Sequence, residues 1–141
     1  MKLARICLVF SLVAVVQSCG PNQKELNAVR RSEVIAVHDE VMPKMGQLKS
    51  FEKKALQKAG ELAAMDPVNP EKVQQMKDLA VELDHAYEEM FVWMRQYETE
   101  DGARTPEEVK SYLEAQMKSV SEVNRLMKAA LTKADSLLKD Q

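Results

Sequence analysis

A chain of 141 residues, 45% hydrophobic, 30% charged and 5% aromatic, carries enough apolar surface for one domain and too little Gly and Pro for disorder. Its 20 basic residues stand against 22 acidic ones, a net charge of −2 that offers no footprint for nucleic-acid phosphates. Gly20, Gly46, Gly60 and Gly102 lie too far apart to build a phosphate-cradling loop, so neither nucleic acid nor nucleotide is an expected partner.

The first segment reads as an address. Met1-Lys2-Leu3-Ala4-Arg5 is a short positive stretch, and the apolar run from Ile6 to Val16 has the length of a signal-peptide core, too short to span a bilayer. It ends in Val16-Gln17-Ser18-Cys19, with an aliphatic residue, a small residue and a cysteine in the order of a bacterial lipobox, which it resembles. The resemblance implies a leader over residues 1–18, cleavage after Ser18 and acyl chains on Cys19, with residues 19–23 as lipidated cysteine and short tether. Cys7 would then be discarded and Cys19 blocked, leaving no thiol for disulfides, catalysis or zinc. Loss of Lys2 and Arg5 leaves 18 basic against 22 acidic residues. Such a domain gains nothing from anionic lipid, so membrane attachment rests on the acyl chains. Gly20 stands where some bacteria place an inner-membrane retention aspartate, which favours the periplasmic face of the outer membrane by analogy.

From about residue 24 to 64 the chain shows one helical seam, Val34, Val41, Met45, Leu48, Ala55, Ala59 and Leu62, with His38 inside it. Pro43 falls within this segment; it removes one backbone donor and is expected to bend the helix without ending it. Asn69 and Pro70 read as cap and first residue of a second helix running to about residue 100, with the seam Val73, Met76, Ala80, Leu83, Tyr87, Met90, Met94 and Tyr97. Gly102 is expected to stop it. Thr105-Pro106-Glu107-Glu108 has the form of a capping box. A third helix, about 106–138, follows with Val109, Leu113, Val120, Val123, Met127, Ala130, Ala134 and Leu137. Short connections make consecutive helices antiparallel neighbours, so the expectation for residues 24–141 is an all-α, up-down-up three-helix bundle with a long kinked first helix.

Folding these helices back about turns near residues 67 and 103 sets His38 level with Tyr97, Met42 with Trp93 and Met45 with Met90, and brings His38, Met42, Met45, Met90, Trp93, Met94 and Met117 to one level. Thioether and imidazole suit Cu(I) or Ag(I), so His38, Met42, Met45, Met90 and Met94 form a candidate soft-metal site. The competing expectation is packing, in which methionine fills irregular space around Pro43 and contacts Trp93. Glu82-x-x-His85 has the spacing used by di-iron bundles, but no second such pair exists and the position points away from the seam. With two histidines, no serine elbow and carboxylates alternating with lysines, nothing assembles a catalytic set, and an enzyme is not expected.

The run Val37-His38-Asp39-Glu40-Val41-Met42-Pro43-Lys44-Met45-Gly46, with Met90-Phe91-Val92-Trp93-Met94, resembles small bacterial lipoproteins catalogued as viral A-type inclusion protein. The likeness covers about residues 1–97, and the label describes helical character. It implies a lipoprotein and a helical bundle and carries no activity, cofactor or binding residue. The expected role is therefore non-enzymatic: an envelope lipoprotein that serves structurally, binds another protein or associates with itself, with Cu(I) handling as the alternative.

Overall fold

The computed structural model describes residues 22–139, which are helical for 86% of their length and contain no strand. Helix α1 spans Gln23–Val41, a 3-10 turn spans Met42–Lys44, α2 spans Met45–Ala63, α3 spans Pro70–Gln96 and α4 spans Pro106–Lys139. The leader, Cys19 and Gly20 lie outside the described residues.

The starts of α1, α3 and α4 are each sealed locally. Asn22 accepts from the Glu25 amide at 3.1 Å, while its own amide donates to the Glu25 carboxylate at 3.0 Å, a reciprocal capping box. The two bonds satisfy amides that would otherwise need water, and the helix starts at Gln23. Asn69 accepts from the Lys72 amide at 3.1 Å, with Pro70 at the first helical position. Thr105 and Glu108 form the third cap: the Thr105 amide donates to the Glu108 carboxylate at 2.7 Å, and the Glu108 amide donates to the Thr105 hydroxyl at 3.3 Å.

Pro43 has no amide hydrogen for the Asp39 carbonyl, and the chain responds by tightening. The Met45 amide bonds to the Met42 carbonyl, and the backbone stays right-handed throughout, from Val41 (φ −110°, ψ −19°) to Met45 (φ −55°, ψ −44°). The first helix is thus interrupted by one tight turn without reversing direction. That turn also marks a change of partner: α1 packs along α4, and α2 packs along α3. Val34, Val41, Leu48, Ala55 and Leu62, spaced by sevens, are all buried, so the heptad runs straight through the proline.

In α3 the buried columns are Met76, Leu83, Met90 and Leu79, Ala86, Trp93, while Tyr87 and Met94 are half-buried. The buried face is therefore rotated from the one expected, because α3 is covered by both α2 and α4. In α4, Leu113, Val120, Met127 and Ala134 form the innermost column. One continuous core runs from Val34 to Ala134, and a smaller cluster of Ala59, Leu62 and Met76 with Val73, Leu137 and Leu138 closes the end near the α2–α3 turn.

Helix α3 ends at Gln96, about a turn before the expected residue 100 and well before Gly102. Tyr97 is already extended (φ −76°, ψ 123°). Arg31 of α1 donates to the Glu98 carbonyl at 2.9 Å, and the Glu98 amide donates to the Tyr112 hydroxyl of α4 at 2.6 Å. These bonds from two other helices take groups that a further helical turn would have used. Gly102, at φ +59°, supplies the left-handed residue of the loop that follows.

Candidate functional site around His38 and Trp93

His38 lies one turn before Pro43 on α1, and its side chain retains 15% of its exposure. Its ring faces Trp93 of α3 with centroids 5.4 Å apart at 31°, and Trp93 stacks on Tyr97 at 4.8 Å. Tyr97 in turn lies 6.3 Å from Tyr112, so three helices contribute to one aromatic column. The expected level placed His38 against Tyr97 and Met42 against Trp93. Instead His38 meets Trp93, a shift of about one helical turn.

The two imidazole nitrogens differ. Nδ1 lies 2.8 Å from the Asp39 carboxylate, which can only accept, so the proton sits on Nδ1. In the neutral ring the lone pair is then on Nε2, which is buried without a hydrogen-bond partner. The Trp93 indole N–H is buried and unpartnered as well. Both are uncommon, since an unmade buried hydrogen bond costs about 1–3 kcal/mol. Of the candidate thioethers, Met45 and Met90 are core residues, and Met42, Met94 and Met117 pack against the same core partly exposed. Met42, Met45, Met90 and Met94 therefore share one hydrophobic cluster, and His38 packs on Trp93 of the same cluster. Among the described residues no group of three or more His, Cys, Asp or Glu side chains could hold a metal ion, so hard-ligand chemistry has no assembled set. His85 illustrates this: it is 58% exposed, with Glu89 3.7 Å away, while Glu82 of the same face is taken by Lys133.

A second polar feature was not anticipated. Asn124 of α4 is 7% exposed and donates from Nδ2 to the Val37 carbonyl at 3.0 Å and to Glu40 Oε2 at 2.9 Å. Lys128 reaches the other oxygen of Glu40. Asn27 plays the same part nearer the start of α1, donating to the Pro106 carbonyl at 2.7 Å while accepting from Gln23 at 2.8 Å. Both asparagines occupy seam positions, Asn27 seven residues before Val34 and Asn124 midway between Met117 and Leu131, so polar residues on an apolar heptad were the available signal. Such residues fix register, because a slipped helix leaves them buried and unpaired.

Lys128 and then Asn124 hold the Glu40 carboxyl below its ordinary value of 4.5. A depressed carboxylate stabilises the fold above its unfolded pKa, and that contribution is lost as pH falls through the folded value. Glu98, lowered by Arg104, Glu108, lowered by Thr105, and Glu122, lowered by Arg125, act in the same direction. The urea midpoint is therefore expected to fall as the pH is taken below about 4.5 towards 3. Glu40→Gln is expected to lose less of its midpoint over that interval than the wild type. Parallel loss in both proteins, followed by Trp93 fluorescence, would remove Glu40 from the account.

No protein-family model, curated protein or solved structure matches this chain.

Proposed function

We propose that this chain is a lipid-anchored, non-enzymatic protein of the bacterial cell envelope, held through acyl chains on Cys19 at the periplasmic face of the outer membrane. Its helices form an up-down-up antiparallel three-helix bundle that serves as a structural or protein-binding body. The observation that carries the anchor is the Val16-Gln17-Ser18-Cys19 sequence at the end of an eleven-residue apolar run. The topology is supported by cross-helix pairs. Lys49 bonds Asp84 at 3.0 Å between α2 and α3, Lys133 pairs with Glu82 between α3 and α4, and Asn27 and Asn124 tie successive parts of α1 to successive parts of α4. Among the described residues no helix is long and apolar enough to cross a membrane, so attachment in this reading rests on lipid alone.

Cys19→Ala is expected to move the protein from the membrane fraction to the soluble or precursor pool and to abolish incorporation of labelled palmitate. Globomycin, which blocks the lipoprotein signal peptidase, is expected to accumulate the precursor. Normal processing under globomycin, with soluble mature protein, would sink the proposal.

A second reading, binding of Cu(I), is favoured by one observation: the buried, unpartnered Nε2 of His38, its ring oriented by Asp39. Metal-binding imidazoles commonly donate their other N–H to a carboxylate. One Cu(I) per chain in an anaerobic competition titration, lost in a His38→Ala, Met45→Leu double variant that keeps its helical circular dichroism, is the expected signature. Equal binding by the double variant ends this reading.

A further inference from the structure

We infer that the protein stands end-on upon its membrane, with the end built from the start of α1, the Tyr97–Thr105 loop and the start of α4 resting on neutral phospholipid headgroups. This rests on the proposed lipid anchor at Cys19. Helix α1 begins under its capping box at Asn22, so only three residue steps separate the acylated residue from a formed helix. Three steps reach about 11 Å at most. The 34 residues of α4, by comparison, extend for about 51 Å. The start of α1 is itself fastened, through Asn27 to the Pro106 carbonyl and through Arg31 to the Glu98 carbonyl and Asp101. An anchor at Cys19 therefore holds this whole end of the molecule near the bilayer, not one loosely attached helix.

The chemistry of that end agrees. Two helix N-termini point there, and their amides are met by Asn22 and Thr105 in reciprocal caps with Glu25 and Glu108. Arg104 pairs with Glu98 at 2.7 Å and Arg31 pairs with Asp101. With Arg31 and Arg104 each paired and the carboxylates of Glu100 and Glu107 exposed beside them, this end offers no cluster of free cations to anionic lipid, and zwitterionic headgroups are the surface that suits it. The long sides have nothing to hold a bilayer. They carry exposed pairs of both signs, such as Lys49 with Asp84 and Lys133 with Glu82. The large exposed apolar side chains there, Val29, Leu56 and Val81, sit on three different helices and form no stripe of the kind an interfacial helix needs. The mature chain, with 18 basic and 22 acidic residues, also gains nothing from lying on anionic lipid. The α2–α3 turn is thereby held about 50 Å from the headgroups.

The test uses the full chain, processed in cells and reconstituted into phosphatidylcholine vesicles. Thr99→Cys and Val68→Cys variants carry a fluorophore in turn, with quenching by a headgroup-spin-labelled phosphatidylcholine. Several-fold stronger quenching at residue 99 than at residue 68 is expected, together with a protein layer about 50 Å thick by neutron reflectometry on a supported bilayer. Equal quenching and a layer about 20–25 Å thick, two helix diameters, would overturn the end-on posture. Intact mass separates the two claims. An unacylated protein overturns the anchor, whereas an acylated protein with equal quenching overturns the posture alone. Insertion of ten Gly and Ser residues between Gly20 and Pro21 should keep the lipid and the helicity but erase the contrast; a contrast that survives would show that the short tether does not set the posture.

Discussion

Leu83→Ala is expected to lower the unfolding free energy by about 3 kcal/mol, the middle of the range for truncating a buried leucine. Leu83 has no exposed surface and lies between Met76 and Met90 in the central column of α3, which is covered by helices on two sides. Removing its isobutyl group forfeits the transfer energy of the buried carbons and leaves a cavity whose walls are held by rigid helices, so collapse recovers little. With a urea slope of about 1.5–3 kcal/mol per molar, the midpoint is expected to fall by about 1–2 M at unchanged slope. Val81→Ala, two residues away, provides the contrast. Its side chain is 68% exposed, and its effect should stay within about 0.5 kcal/mol. Similar shifts for both variants would mean that the column of sevens does not define the core.

Trp93→Ala is expected to cost about 3–5 kcal/mol, whereas Trp93→Phe should cost markedly less. Trp93 is 4% exposed and joins His38 of α1 to Tyr97, so truncation opens the aromatic column where three helices meet. Phenylalanine keeps most of the ring and removes an indole N–H that has no partner, a group whose burial costs about 1–3 kcal/mol. Both variants remove the orphaned donor, but phenylalanine does so while keeping most of the buried apolar area, so its net loss is the smaller. Denaturation followed by far-UV circular dichroism reads both, since Trp93 is the only tryptophan. If phenylalanine proves as damaging as alanine, the indole N–H has a bonding role at this site, and the unpartnered His38 Nε2 beside it becomes the first place to look for the acceptor.

The candidate site was legible only in part. The spacing of His38, Met42 and Met45 puts them on one side of the first helix, and a fold-back argument brings Met90 and Met94 near them; the four methionines share one hydrophobic cluster, and His38 packs on its Trp93. Which aromatic residue faces His38 could not be read from fold-back arithmetic, because that arithmetic assumes straight helices folded back evenly about one point, and the first helix is interrupted at Pro43. Nor does spacing reveal that Asp39, the very next residue, accepts the hydrogen bond from Nδ1 and that Nε2 is left without a partner. A hydrogen bond between neighbouring side chains depends on rotamers, and rotamers depend on what the surrounding helices leave open.

The sequence by itself determined that the chain is helical, the capped starts of α1, α3 and α4, and the inward columns of the first and last helical segments. Caps such as Thr105 with Glu108 and Asn69 with Lys72 are made within four residues, and the first-helix seam from Val34 to Leu62 repeats every seven, so both follow from local geometry. Only the tertiary structure decided where α3 stops, that α1 keeps to α4 while α2 keeps to α3 beyond the Pro43 turn, and that Asn27 and Asn124 go inside. Each of these depends on partners far away in the chain. Arg31 and Tyr112 capture the backbone after Tyr97, and an asparagine is tolerated in an apolar seam only when a carbonyl 79 or 87 residues distant meets its amide. Local patterns report which groups need burial or a bond; the packed helices decide which distant group supplies it.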